Sequence, residues 1–180
     1  DALPIKYVMN KTRYSFSSTQ INLPKSLADD IIAWGKARIP ETEVFVDPND
    51  SNFGREDEIH VTVLYGIHSE SAFETKSLLS KQKPFQIEQG KIGIFTNDIF
   101  DVVKINVKSP ELNALNKKLT NGVEYTSKFK EYQPHITVAY LKKGKGWKYE
   151  GDKTFDGKLF NADHVYFSSR NGNKTKIDIV

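Results

Sequence analysis

A hexapeptide that occurs twice limits this chain more than any other feature. His60-Val61-Thr62-Val63-Leu64-Tyr65 and His135-Ile136-Thr137-Val138-Ala139-Tyr140 begin 75 residues apart, agree at four of six positions and differ conservatively at Val61/Ile136. Both are rich in β-branched and aromatic residues, the composition of strands. Side chains alternate across a strand, so the imidazole, the hydroxyl and the fifth residue are expected on one face. Val or Ile, Val and Tyr then take the other, which predicts Tyr65 and Tyr140 as core residues. One such strand reads as an ordinary setting for a half-buried histidine. Two matched copies, using half of the four histidines, read as a symmetric pair of proton-transfer groups beside two hydroxyl donors.

The chain around these copies follows a repeated grammar. Tyr14 to Leu23 ends in a strand pattern that Pro24 breaks, and Ser26 is expected to cap a helix to about Lys36 through Leu27, Ile31 and Trp34. Glu41 to Val46 reads as a short strand, Asp47 to Asn52 as a loop, and Ser71 to Lys81 as a helix with Phe73, Leu78 and Leu79 as its apolar contacts. Phe85 to Phe95 and Asp101 to Lys108 read as strands around a Thr96-Asn97-Asp98 turn. Ser109 and Pro110 open a helix that Asn121-Gly122 closes. Gly144 to Gly157 reads as a polar, lysine-rich loop, and Phe160 to Ser168 with Lys174 to Val180 as a hairpin. Short strands with interspersed helices predict an α+β fold, and 180 residues suit one domain made of two interleaved lobes.

Composition narrows the chemistry. The absence of cysteine excludes disulfides, thiol nucleophiles and zinc knuckles. No apolar run approaches the roughly 18 residues of a membrane span, and Asp1-Ala2-Leu3-Pro4 lacks a signal pattern, so a cytoplasmic location is expected. The net charge is 26 − 23 = +3, with nine bases against five acids between Ala139 and Val180. Such a balance is compatible with a phosphate-bearing ligand without identifying one. Asp47, Asn49, Ser51 and Glu58 imitate a calcium-loop spacing, but Asn52 stands where its glycine belongs and a strand follows, so no metal site is predicted. Neither a phosphate loop nor a G-x-S-x-G elbow is present. The N-x-T tripeptides at Asn10 and Asn173 carry little meaning without a secretion signal.

What two imidazoles and two hydroxyls can do together is cleave a phosphodiester. One histidine takes a proton from the attacking oxygen and the other returns one to the departing alkoxide. Thr62 and Thr137 can donate to the non-bridging oxygens, where negative charge sits in the transition state. An unperturbed pKa of about 6.5 allows one imidazole to be neutral and the other protonated.

With its two H-x-T-x motifs, and with Tyr132-Gln133-Pro134 leading into the second, the chain resembles the 2H phosphoesterase superfamily over roughly 17–179. Glu58-Ile59 stands before His60 where a proline is common. The resemblance implies a bilobal fold of two pseudo-symmetric, mostly antiparallel sheets, helices on the outer faces and a central groove. It also implies His60 and His135 as the catalytic pair, Thr62 and Thr137 as phosphate-binding hydroxyls, no metal and no cofactor. The partner implied is a nucleotide or oligonucleotide substrate. Ser18 to Pro24 and Gly54-Arg55-Glu56 look most like phage-associated members, with Arg55 as a substrate contact.

Around this centre the reading is more open. Gln20 reads equally as a groove-lining ligand contact and as part of a solvated sheet face, and so do Lys104 and Asn106. Phe53, Phe95, Phe129 and Tyr132 are candidate base-stacking rings, each also readable as packing. Lys142 and Lys143, past the second motif, are the expected basic contacts for further phosphates, and His68 reads as a surface residue. A monomer without an obligate protein partner is expected. The alternative to an enzyme is an inactive nucleotide- or RNA-binding module of a larger protein, which would bind without forming product.

Overall fold

The structure, a computed structural model, describes residues 14–180; Asn10 and the Asp1-Ala2-Leu3-Pro4 start lie outside the described residues. In chain order the elements are β1 (Ser17–Asn22), helix α1 (Lys25–Arg38), β2 (His60–Ile67), helix α2 (Phe73–Leu78), β3 (Phe85–Thr96), β4 (Phe100–Lys108), helix α3 (Pro110–Gly122), β5 (His135–Lys142), β6 (Leu159–Ala162), β7 (His164–Ser168) and β8 (Lys174–Asp178). The strands form one antiparallel sheet in the order β6-β3-β4-β5-β2-β1-β7-β8. This is the expected α+β architecture, and the two expected sheets are its halves. Four strands on each side meet where β2 and β5 pair through Val61 and Ile136 alone. A single residue, Asp163, separates β6 at one edge from β7 near the other, and one residue spans only a few ångströms. The sheet therefore curls until its two ends approach.

The helices tie the halves together crosswise. α1 follows β1 yet packs against β5, and α3 follows β4 yet packs against β2. Ile31 and Trp34 of α1 and Leu112, Leu115 and Leu119 of α3 are buried on that side, against Val61, Val63, Ile136 and Val138. The opposite face of the sheet is left to form the groove. Beyond their single shared pair, β2 and β5 diverge, and each exposed strand edge is covered by a loop. Residues 44–56 pair along β5, and Tyr125 and Thr126 pair with Ile67 and Gly66 of β2.

The two motif strands share an irregularity that alternation does not anticipate. In the β1–β2 register Thr19 lies opposite Leu64 but Gln20 opposite Thr62, leaving Val63 as an extra residue. In the β4–β5 register Val103 lies opposite Ala139 but Lys104 opposite Thr137, leaving Val138 in the matching position. Each is a β-bulge, which shifts the inside–outside alternation by one. Leu64 and Ala139 consequently join the core, while Tyr65, 46% exposed, and the half-buried Tyr140 turn to the groove face, correcting their assignment to the core. The bulge carbonyls are satisfied in both halves: Asn116 Nδ2 donates to Val63 O at 2.7 Å, and the Glu56 amide donates to Val138 O at 2.9 Å.

Several local expectations are also corrected. α1 begins at Lys25 behind Pro24, so Ser26 lies inside its first turn and caps nothing. Glu41 to Val46 holds a 3₁₀ turn at Glu41–Glu43 and one isolated bridge in place of a strand. α2 is shorter than the periodicity suggested, and Phe73 is 74% exposed. Gly122 belongs to α3 itself; a Cβ there would come within 2.6 Å of Leu78, so the glycine permits α2 and α3 to touch. The lysine-rich loop anchors itself through buried Tyr149 and Phe155, both ringed against Trp34. The final hairpin is β7–β8 alone, because β6 leaves it to pair with β3. Ser109 caps α3 as expected, accepting from Leu112 N.

Candidate active site

His60 and His135 sit at the starts of β2 and β5, on either side of the one pair that joins the halves. Extending that antiparallel register by one residue places Thr137 alongside His60 and Thr62 alongside His135, all four on the groove face. The imidazoles are held identically. His60 Nδ1 meets the Glu58 carbonyl at 2.6 Å, and His135 Nδ1 meets the Gln133 carbonyl at 2.8 Å. A carbonyl only accepts, so each Nδ1 carries hydrogen and each Nε2 is the atom free to gain or lose a proton. The proline before His135 is therefore unnecessary to this geometry, since Glu58-Ile59 achieves it before His60. Among the described residues, the hydroxyls of Thr62 and Thr137 are bonded to no other protein group.

Charge distinguishes the two imidazoles. Burial lowers the His135 pKa, the Gln133 carbonyl opposes this, and Lys104 and His60 lower it further. On the His60 side are two carboxylates. Burial pushes Glu56 above the usual carboxylate range, with His60 opposing. Burial also pushes Glu58 upward, but Lys174, His60 and Gln20 together hold it below that range.

The other expected contacts divide. Gln20 is buried on the groove face opposite Thr62, and its amide donates to Asn22 Oδ1 and Glu58 Oε1, each at 2.7 Å. Lys142 is exposed on the groove face of β5, two residues past Tyr140, and Lys143 instead donates to Thr96. Phe53 packs with Phe45, Phe100 and Tyr140 at centroid distances of 5.1 to 5.2 Å, an aromatic cluster at the far end of β5. Phe95 lies edge-on to His135 at 5.0 Å. Phe129 is 82% exposed in the loop before the second motif.

Two further candidates are bonded within the protein. The Arg55 guanidinium donates to Gly35 O and Ile39 O, each at 2.7 Å, and to Glu41 at 3.1 Å. It closes the C-terminal end of α1, joining the Ile39 amide on Gly35 O and supplying a donor to the Ile39 carbonyl. Tyr132 is packed against the core, and its hydroxyl donates to Thr62 O at 2.7 Å, bracing the first motif from the approach to the second. The residues that sequence reasoning missed are Glu56 and Glu58, which lie on the approach to His60, whereas Lys104 and Asn106 stand on the polar face of their strand as read from the sequence.

Among the described residues no group of three or more His, Cys, Asp or Glu side chains could hold a metal ion, and no helix is long and apolar enough to cross a membrane. The fold and the paired H-x-T strands define the class of two-histidine phosphoesterases. The profile of the 2′-5′ RNA ligase superfamily matches residues 33–174, and the chain belongs to that family. TT0787 of Thermus thermophilus shares the fold at 17% identity and a TM-score of 0.64, covering 91% of this chain and 97% of its own. E. coli LigT complexed with 3′-AMP shares it at 20% identity and a TM-score of 0.58, covering 92% and 94%. LigT has also been solved with ATP, at 18% identity, a TM-score of 0.54 and coverage of 92% and 94%. No curated protein matches the sequence. Membership supports phosphoesterase activity in general terms.

Proposed function

We propose that the protein is a phosphodiesterase that hydrolyses a cyclic or 2′-linked nucleotide phosphodiester by two-histidine acid–base catalysis. The observation that carries this reading is the matched pinning of His60 and His135. Each Nδ1 is tied to the carbonyl two residues earlier, and a free threonine hydroxyl follows two residues later on the same face.

In the proposed reaction water attacks phosphorus, forming a new P–O bond, and passes its proton to one Nε2. The bond to the ester oxygen breaks, and the other Nε2 delivers its proton to the departing alkoxide. Thr62 and Thr137 donate to the non-bridging oxygens as charge builds there. The products are a phosphomonoester and an alcohol, joined in one molecule when the substrate is a 2′,3′-cyclic phosphate. No step passes through a metal. The crosswise helices support action as one domain, and the LigT complexes with 3′-AMP and ATP support a nucleotide as the ligand.

The test is incubation with 2′,3′-cyclic nucleotides, a 2′-5′ dinucleotide, its 3′-5′ isomer and a cyclic dinucleotide, with products separated by chromatography. At least one of these substrates is expected to be cleaved in excess chelator. His60→Ala and His135→Ala are each expected to lower turnover by about 10²- to 10⁴-fold. Full activity in either variant defeats the mechanism, and tight binding without product favours a binding module.

A further inference from the structure

The pseudo-symmetry of the two halves reveals one exchange of charge. Asn22 lies opposite His60 and Gln20 opposite Thr62; Asn106 lies opposite His135 and Lys104 opposite Thr137. In both halves the longer side chain donates to the asparagine Oδ1, Gln20 to Asn22 and Lys104 to Asn106. The resemblance ends there. Gln20 is neutral, and its amide is completed by Glu58, which Lys174 in turn pairs. Lys104 is a cation, 7% exposed, with no carboxylate within ion-pair distance among the described residues. Its other contact is the Phe95 ring, 4.2 Å from Nζ, and Glu150 acts on it only at longer range.

A buried ammonium without a counter-ion is unfavourable unless something anionic joins it. Gly93 lies opposite Lys104 on β3, and a Cβ there would stand 3.1 Å from Lys104 Nζ and 2.9 Å from the Asn106 amide. The corresponding position in the other half, opposite Gln20, is occupied by Tyr166. Gly93 thus leaves the room that the Lys104 and Asn106 side chains occupy, which lets the ammonium lie over β3 in this half alone.

We propose that Lys104 is a substrate-contacting residue that, with the Thr137 hydroxyl, binds a non-bridging oxygen of the scissile phosphate and fixes the direction in which the substrate lies. This rests on the phosphodiesterase reading. The groups facing His135 are Lys104 from β4 and His60 from β2, while His60 has Glu56 and Glu58 nearby. The cation beside His135 disfavours its protonated form, which suits His135 to take the proton of the attacking water and leaves the leaving alkoxide to the imidazole of the other half, His60.

Calorimetric titration with inorganic phosphate tests this without turnover, so a negative substrate panel and a negative phosphate result are separable. Lys104→Met and Lys104→Gln are expected to weaken phosphate binding on the order of ten- to a hundredfold. Lys117→Met, on the exposed face of α3, is expected to change it by less than about twofold. Histidine NMR titration should show the His135 midpoint rising in Lys104→Met and, in the unsubstituted protein, rising when phosphate is added. Undiminished phosphate affinity in either folded Lys104 variant, no phosphate binding by the unsubstituted protein, or an unmoved His135 midpoint overturns the proposal. So does failure of both variants to fold, which would make the ammonium structural; if only Lys104→Met fails, Lys104→Gln decides.

Discussion

Replacing Tyr132 by phenylalanine separates a bracing role from a substrate contact. The substitution keeps the ring in its packed position and removes one atom, the hydroxyl oxygen that donates to Thr62 O at 2.7 Å. Burial raises the phenol's ionisation far above its ordinary value, so the hydroxyl remains a donor across the whole range in which the enzyme can be assayed. The loss of one such bond, leaving a shielded carbonyl without its partner, costs about 1–3 kcal/mol. For a chain of this size that corresponds to a melting temperature lower by about 2–12 °C. Turnover should fall by less than about tenfold, because the Thr62 hydroxyl stays on its strand and only its bracing is loosened. Thermal melts paired with steady-state kinetics on whichever nucleotide is cleaved provide both numbers. A loss of turnover beyond a hundredfold with an unchanged melting temperature would refute the reasoning and return Tyr132 to the substrate. An unchanged melting temperature with unchanged turnover would show that the bond contributes nothing.

Arg55→Met should lower the melting temperature by several degrees while leaving KM unchanged, because it strips partners from the Gly35 and Ile39 carbonyls at the end of α1. A raised KM with intact stability would contradict that assignment. Gly66→Ala should destabilise by more than about 2 kcal/mol, since Gly66 has φ of +96° and a Cβ would fall 1.9 Å from Thr126 O; an unaltered denaturation midpoint would count against it. Stability should also depend on pH through His135. Its folded pKa lies below the usual 6.5, so the folded chain binds this proton less readily than the unfolded one. The contribution is fully present above pH 6.5 and is lost as pH falls from there through the folded value. Urea midpoints at successive pH values should show that decline, and His135→Gln should reduce it. An identical decline in the variant would place its origin elsewhere.

The repeated H-[VI]-T-V strand, the helix opened by Ser109 and Pro110, the α+β class and the two-histidine centre were legible in the sequence, because each rests on short-range alternation or on a local cap. The matched pinning of the imidazoles was not, since it depends on how the chain approaches each strand. Tyr65 and Tyr140 show where alternation stops: a single bulge residue in each motif strand turns both rings from the core to the groove, and only the partner strand's register reveals the extra residue. Arg55 entered as a substrate contact only through the likeness of Gly54-Arg55-Glu56 to family members, and what its guanidinium reaches, carbonyls 16 and 20 residues earlier at the end of α1, is visible only in the fold. Lys104 and Gln20 are 84 residues apart and unlike in type, so no periodicity relates them. They become counterparts only when the curled sheet sets each beside a threonine of the repeat. The sequence by itself determined that His60 with Thr62 and His135 with Thr137 ride on matched strands, because those groups travel with their strands. The tertiary structure decided which of them share a face, which are already bonded and on which side the unpaired charge lies, because those properties arise between segments that meet only on folding.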